Sequence, residues 1–226
     1  MKFTDYSFFF ETKELIACIS HRDYNYSNSI YRKEFVSSLY LRDRLIVAPN
    51  QTHSNNVAIA TKSSNNYNNI DGLISLNNDL VLTLLVADCI PLFIFNNKSN
   101  NFALVHSGWR GTVNNIAANS IDLMKKNGNC LKDLKFVIGP SIGACCYEVG
   151  RDVFESFDSN YYQIINEKKA KLNLKNIVYD QIIDFGISKK NIFIDQDCTF
   201  CRNKKYFSYR KEGNISGRMV AVMGLK

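Results

Sequence analysis

Leu80-Val81-Leu82-Thr83-Leu84-Leu85-Val86 and Pro91-Leu92-Phe93-Ile94-Phe95 are two apolar runs separated only by Ala87-Asp88-Cys89-Ile90. A third, Phe102-Ala103-Leu104-Val105, follows closely. Each is too short for a typical buried helix and is rich in branched and aromatic residues, so each reads as a strand. None alternates apolar with polar residues. Continuous runs of this kind mark strands buried on both faces, as when helices cover a sheet.

Working outward, further strand-like runs fall at 45–48, 57–60, 136–138, 192–194 and 219–223. Helical spacing falls at 31–40, 113–126, 152–157 and 168–185. Within 113–126, Val113, Ile116, Ala117, Ser120, Ile121 and Met124 share one helical face, and Gly128 supplies a stop. The asparagine-rich stretch 63–69 reads as a surface loop. There is no internal repeat and no linker rich in Pro, Gly or Ser. Strands interspersed with helices predict an α/β (α+β) fold: a single layered domain over residues 1–226, with mixed, largely buried β-sheets covered by helices.

A chain of 226 residues can bury a substantial core, and its 46% apolar and 22% charged residues are ordinary for a globular protein. The run from Leu80 to Phe95 is broken by Asp88 and Pro91, so no stretch suits a bilayer span. The N-terminus carries Asp5 early and lacks a signal-peptide pattern. Seven cysteines, two of them adjacent (Cys145-Cys146), do not look like a disulfide framework. They suit a reducing compartment and predict a cytoplasmic protein. The net charge of +7 favours anionic partners such as phosphate. The lysines are scattered rather than gathered in a stripe among aromatics, so no specific nucleic-acid or membrane partner is expected. A monomer is the expectation.

The residues suited to chemistry are His53 in Gln51-Thr52-His53, Cys89 in Ala87-Asp88-Cys89, and His106 in Val105-His106-Ser107-Gly108-Trp109-Arg110-Gly111. The chain has only three histidines. Cys89 follows one apolar strand, His106 ends another, and His53 lies in the turn between two more. That placement lets all three meet at one rim of a sheet. Two imidazoles and a thiolate form a three-donor set for Zn²⁺ that leaves one coordination position open, with a net charge of about +1. As separate residues they read equally well as hydrogen-bonded core histidines and a buried small thiol. Arg110, between glycines and just before a helix start, suits a phosphate or braces its loop. Asp88 either orients a donor or satisfies loop amides. Cys198-Thr199-Phe200-Cys201 is a CxxC with no second CxxC and no histidine nearby, so it reads as structural or pocket-lining, and Cys145-Cys146 reads as packing.

With these residues in view, the chain resembles the laccase-domain family of purine nucleoside phosphorylases, also called YfiH-like or polyphenol oxidase. The matching motifs are Gln51-Thr52-His53, Asp71-Gly72-Leu73-Ile74-Ser75, Ala87-Asp88-Cys89-Ile90-Pro91 and His106 to Gly111. They continue through Ile138 to Val149, Cys198 to Cys201, Phe207-Ser208-Tyr209-Arg210 and Gly217-Arg218-Met219, in the family's order. The resemblance implies a single layered α/β domain and zinc held by His53, Cys89 and His106. It implies phosphorolysis of adenosine, inosine, guanosine or S-methyl-5'-thioadenosine to a base and a pentose 1-phosphate, and deamination of adenosine. Catalysis then falls to Cys89, His53, His106 and Arg110. At the N-terminus the chain departs from the family: Ser20-His21-Arg22-Asp23 runs into Tyr24-Asn25-Tyr26-Ser27 without the usual glycine-rich loop, and Arg22 stands where the family carries an arginine.

Other readings make different demands. A copper polyphenol oxidase, suggested by the family's older name, needs more histidines than the chain has. A metal-free cysteine hydrolase would use Cys89 as nucleophile and His106 as base, on cell-wall precursors of the kind the family has been linked with editing. The zinc nucleobase deaminases carry H-x-E with P-C-x-x-C. Here Ser54-Asn55 follows His53 and Asp197 precedes Cys198. A basic RNA-binding module would give the two histidines and Cys89 no role.

Overall fold

Phe93, Phe95, Phe102 and Leu104 meet Leu82, Leu84, Ala221 and Met223 in one fully buried apolar cluster. These two groups come from different sheets, so the deciding strands lie at a sheet-on-sheet interface. The fold is given by a computed structural model that describes residues 1–41, 43–64 and 66–226. Asn65 of the asparagine-rich stretch lies outside the described residues.

The chain runs through β1 (Phe3–Asp5), β2 (Leu15–Ser20), α1 (Ser29–Ser38), β3 (Leu45–Val47), β4 (Val57–Ala60), β5 (Gly72–Ser75) and β6 (Leu80–Val86). It continues through β7 (Ile90–Asn96), β8 (Phe102–Ser107), α2 (Trp109–Val113), α3 (Ile116–Lys126), β9 (Leu134–Ile138), β10 (Glu148–Gly150) and α4 (Arg151–Phe154). The last elements are β11 (Tyr162–Asn166), β12 (Lys169–Leu172), α5 (Leu174–Asp184), β13 (Ile192–Ile194), α6 (Tyr209–Glu212) and β14 (Met219–Leu225).

A five-stranded sheet has the order β1-β2-β14-β6-β3, and a six-stranded sheet the order β13-β9-β7-β8-β5-β4. Both are mixed: β3 pairs in parallel with β6, β4 with β5 and β13 with β9, and the other pairs are antiparallel. A small antiparallel sheet, β10-β12-β11, stands apart from them.

Side-chain alternation explains the unbroken apolar runs. In β8, Phe102 and Leu104 face the five-stranded sheet, and Ala103 and Val105 face the helices. The helical side is closed by Ile116, Ala117, Ile121 and Met124 of α3 with Leu174, Ile177, Val178 and Ile182 of α5. On the far side, Phe35 and Val36 of α1 cover Cys18, Val81, Val220 and Val222. The expected covering by helices therefore holds on the two outer faces, while the inner faces cover each other. Truncating one inner residue, as in Leu104→Ala, costs about 2–5 kcal/mol because the packed layers cannot collapse onto the void.

Local chemistry shifts two expected helices. The stretch 113–126 is divided, because Asn115 adopts a left-handed φ of 57° between α2 and α3. Gly128, at φ 84°, ends α3 as expected. The stretch 168–185 begins as a strand, since Lys169-Ala170-Lys171-Leu172 alternates an exposed and a half-buried lysine with buried Ala170 and Leu172. Asn173 then caps α5, its side chain accepting from Asn176 N–H at 3.3 Å. Among the described residues, no helix is long and apolar enough to cross a membrane.

Candidate active site

β3 belongs to the five-stranded sheet and β4 to the six-stranded one, so the connection between them passes from layer to layer. His53 sits in that passage. Gln51 fixes its start by extending the pairing of β3 with β6: its amide donates to the Leu85 carbonyl at 2.8 Å and accepts from Leu85 N–H at 2.9 Å. Asp71, fully buried just before β5, fixes the rest. Its carboxylate accepts the backbone N–H groups of Thr52, His53 and Ser54 at 3.1, 3.0 and 2.7 Å, and the Ser54 hydroxyl at 2.8 Å. This ring of donors holds His53 at a left-handed φ of 61°, a conformation that costs a β-carbon residue of order 1 kcal/mol or more.

Cys89 occupies the second passage between layers, from β6 to β7. Asp88 turns the chain there with φ 87°. Its carboxylate accepts from the Thr199 hydroxyl at 2.6 Å and the Arg210 N–H at 2.7 Å, and its carbonyl from Ile142 N–H at 2.9 Å. Of the two roles open to Asp88, the geometry gives it the binding of loop donors, and the strained turn aims the Cys89 thiol. His106 lies one residue before the end of β8, paired across from Pro91. Its Nδ1 lies 2.8 Å from Asp71 Oδ1, which leaves Nε2 as its free donor atom.

The structure brings His53, Cys89 and His106 together: their donor atoms all lie within 4.8 Å of one another. The two imidazoles are 4.9 Å apart between centroids and nearly perpendicular at 76°. His53 is exposed, Cys89 half-buried and His106 buried. Gly108 leaves the space they face clear. A β-carbon there would fall 3.0 Å from His53 Cδ2 and 3.1 Å from Cys89 Sγ. A soft thiolate, two imidazoles and a space kept free of side chains fit one divalent ion.

The site is electrically coupled. Burial would push the Cys89 thiol up, but the charge of His106 and hydrogen bonds with His106 and His53 outweigh it and hold the thiol below its ordinary value. Burial likewise opposes the His106 cation, yet the facing Cys89 and the Asp71 carboxylate raise the imidazole well above its usual range. Asp71, despite its burial, is held well below the usual carboxylate range by the donors from His106, Ser54 and Thr52.

These groups open on a cavity of about 710 Å³ lined by Trp109, Tyr147, Tyr209, Arg210 and Arg218. Arg110 stands beside Trp109, exposed, with its guanidinium 4.3 Å from the indole ring. Arg210 donates to the Glu148 carbonyl and lies 5.3 Å from the Tyr147 ring. Arg22 braces the loop after β2, bonding Glu212 at 2.7 Å and the Asn203 carbonyl at 2.5 Å. Sequence reading missed Asp71 as the organising carboxylate, although it heads a quoted motif, because an aspartate before glycine reads as a turn.

Residues 19–226 match the family described as multi-copper polyphenol oxidoreductase laccase. The chain belongs to that family. It is 33% identical over 193 residues to a Staphylococcus aureus (strain COL) protein named purine nucleoside phosphorylase, covering 79% of this chain and 72% of that one. The fold matches Bacillus licheniformis YfiH with a TM-score of 0.86 at 25% identity, over 94% of this chain and 93% of the other. It matches YlmD of Geobacillus stearothermophilus with a TM-score of 0.88 at 23% identity, over 95% and 93%. The resemblance read from the motifs and the mixed α/β fold class are both borne out. The laccase family's description names copper, but the histidines here do not suit a multi-copper centre. His21 is bonded to Thr4 Oγ1 at 3.0 Å and packs edge-on against Tyr206, which leaves His53 and His106 for one ion.

Proposed function

We propose that residues 1–226 act as one domain, a zinc-dependent purine nucleoside phosphorylase with accompanying adenosine deaminase activity. The observation that carries this reading is the meeting of His53, Cys89 and His106 at the floor of a cavity walled by aromatic and cationic side chains. The name of the Staphylococcus aureus relative supports the same activity.

Zinc bound by these three residues would supply Lewis acidity at the open coordination position. The protein's own groups do the rest. Trp109, Tyr147 and Tyr209 offer faces for a purine ring. Arg110, Arg210 and Arg218 supply positive charge for phosphate. In phosphorolysis a phosphate oxygen attacks the anomeric carbon, the bond to the purine nitrogen breaks, and the base leaves with a proton. Asp71 keeps the proton on His106 Nδ1 and so keeps Nε2 aimed inward. Deamination needs a proton acceptor other than a glutamate beside His53, since Ser54 and Asn55 follow it. The partners of this reading are small molecules. The reading places the protein in the cytoplasm, in keeping with its seven free cysteines.

A second reading is favoured by one observation. Asp71, His106 and Cys89 form a carboxylate–imidazole–thiol chain, the arrangement of a cysteine hydrolase. One experiment separates the two. Purified chain is incubated with adenosine, with and without phosphate, before and after chelation, alongside elemental analysis. The phosphorylase reading expects adenine and ribose 1-phosphate only with phosphate, and loss of products on chelation. Inactivity of zinc-replete protein on every purine nucleoside would sink it. Turnover that survives chelation and is killed by a thiol alkylator would favour the hydrolase.

A further inference from the structure

A second cluster lies outside the site described above. Cys145 and Cys146, in the loop before β10, and Cys198 and Cys201, in the loop after β13, bring their four sulfur atoms within 4.8 Å of one another. Cys146 Sγ lies 3.3 Å from Cys201 Sγ, and Cys145 Sγ 3.7 Å from the same atom. Four sulfurs at the corners of a tetrahedron around zinc, with bonds of about 2.3 Å, stand about 3.8 Å apart. The two closest separations lie just below that figure, within reach of a small adjustment.

Packing alone does not account for this arrangement. Cys198 is buried in the helical-side core and the half-buried Cys146 packs against it, but Cys145 and Cys201 are exposed, so the meeting of all four thiols is more than an apolar core contact. The Gly143 N–H donates to Cys198 Sγ at 3.2 Å. An amide turned onto the first sulfur of a C-x-x-C turn stabilises a thiolate, which is the form that binds metal. Gly143 is kept bare for the same reason as Gly108. A β-carbon on it would fall 3.2 Å from Cys198 Cβ and 3.4 Å from Cys145 Sγ. Arg202, Lys204, Lys205 and Lys211 gather with Cys201 around a neighbouring cavity, where Asp197 pairs with Arg202 and Lys205 and the balance of charge is positive.

We propose that Cys145, Cys146, Cys198 and Cys201 form a second metal site, a closed tetrathiolate that takes one zinc ion for structure rather than turnover. Binding replaces four S–H protons by one Zn²⁺, so four protons leave and the centre carries two negative charges. With all four positions filled by protein, the centre has no room for substrate. Its position explains what it would hold. Thr199, between two of the donors, carries the hydrogen bond to Asp88 that sets the Cys89 turn, and Tyr147, next to Cys146, lines the cavity.

The test uses full-length Cys89→Ala protein, in which the cavity site has lost its thiolate, with cobalt(II) and zinc(II) as probes. The expected result is one equivalent of cobalt with the intense absorption of a tetrahedral tetrathiolate, displaced by one equivalent of zinc. The signal should vanish when Cys201→Ser is added. No uptake by protein whose thiols are titrated as free would overturn the proposal, as would a spectrum unchanged by Cys201→Ser. Should the double variant fail to fold, alkylation of the natural chain decides. Zinc should shield the exposed Cys145 and Cys201, and equal labelling with and without zinc would overturn the site. Because Cys89 is absent from the first test, its outcome is independent of the phosphorylase reading.

Discussion

His106 Nδ1 lies 2.8 Å from Asp71 Oδ1, and the His106 backbone N–H donates to the Asp71 carbonyl at 2.7 Å. One buried aspartate therefore sets both the ring orientation and the main-chain position of His106, a candidate metal donor. The same carboxylate holds the His53 loop. Asp71→Asn removes the charge and puts an amide donor among groups that need an acceptor. Metal affinity at the cavity should fall about 10–100-fold. Stability should fall by about 1–3 kcal/mol for each donor left unpaired. Metal titration and urea denaturation check both, and an affinity unchanged by Asp71→Asn removes its organising role.

Cys89→Ala should abolish nucleoside turnover while the fold survives, because the half-buried thiol supplies a donor and little packing. Circular dichroism and product analysis on the same sample report the two effects. Retained turnover in the folded variant would argue that the thiol takes no part.

Gly108→Ala should lower metal content at the cavity without unfolding the chain. Gly108 has an ordinary φ of −83°, so alanine meets no backbone strain, only the His53 ring and the Cys89 sulfur. Elemental analysis of folded variant protein checks this. Full occupancy would show that the donors have room to spare.

Arg110→Ala should raise the KM for phosphate by about tenfold, the loss of roughly 1.4 kcal/mol of charge-assisted binding, with a smaller change for nucleoside. An unchanged phosphate KM would strip Arg110 of that role and pass it to Arg210 and Arg218, which line the cavity.

The strands that build the core were legible because burial on both faces leaves an unbroken apolar run, as in β6, β7 and β8. The short β3, β4, β9 and β13 were read as well, but β1, β2, β5 and the strands of the small sheet were not. β2 is interrupted by the small Ala17 and Cys18, and β12 is half lysine. That a second sheet rather than helices covers the inner faces is invisible in one strand's residues, since Phe93 is equally satisfied by either. The candidate donors His53, Cys89 and His106 stood out as scarce residue types at strand ends. Asp71 did not, because its partners, three backbone amides with the Ser54 hydroxyl and the His106 ring, are brought to it only by the fold. The four-cysteine cluster was hidden by distance along the chain, with one pair before β10 and the other after β13.

In metal-stripped protein, Cys89 should alkylate faster at pH 7 than an unperturbed thiol of pKa about 8.5. Its acidity is raised by His106 against the opposing effect of burial, so the thiolate fraction climbs at lower pH and the rate profile shifts toward acid. Iodoacetamide labelling followed across pH, with mass analysis of the peptide, checks the shift. His106→Ala should move the profile toward alkaline pH, because the effect of burial then loses its main opponent, and added zinc should block labelling of the natural chain.

His53 and Cys89 each ride on a strand-to-strand passage that carries the backbone from one sheet to the other. A cation gripped there acts as a rivet through the sandwich: its two layers cannot part at that end without breaking coordination. Amide hydrogens around Thr52 and Asp88 should then exchange earliest once the ion is withdrawn, so that the molecule opens first at the cavity to which the proposed chemistry is assigned.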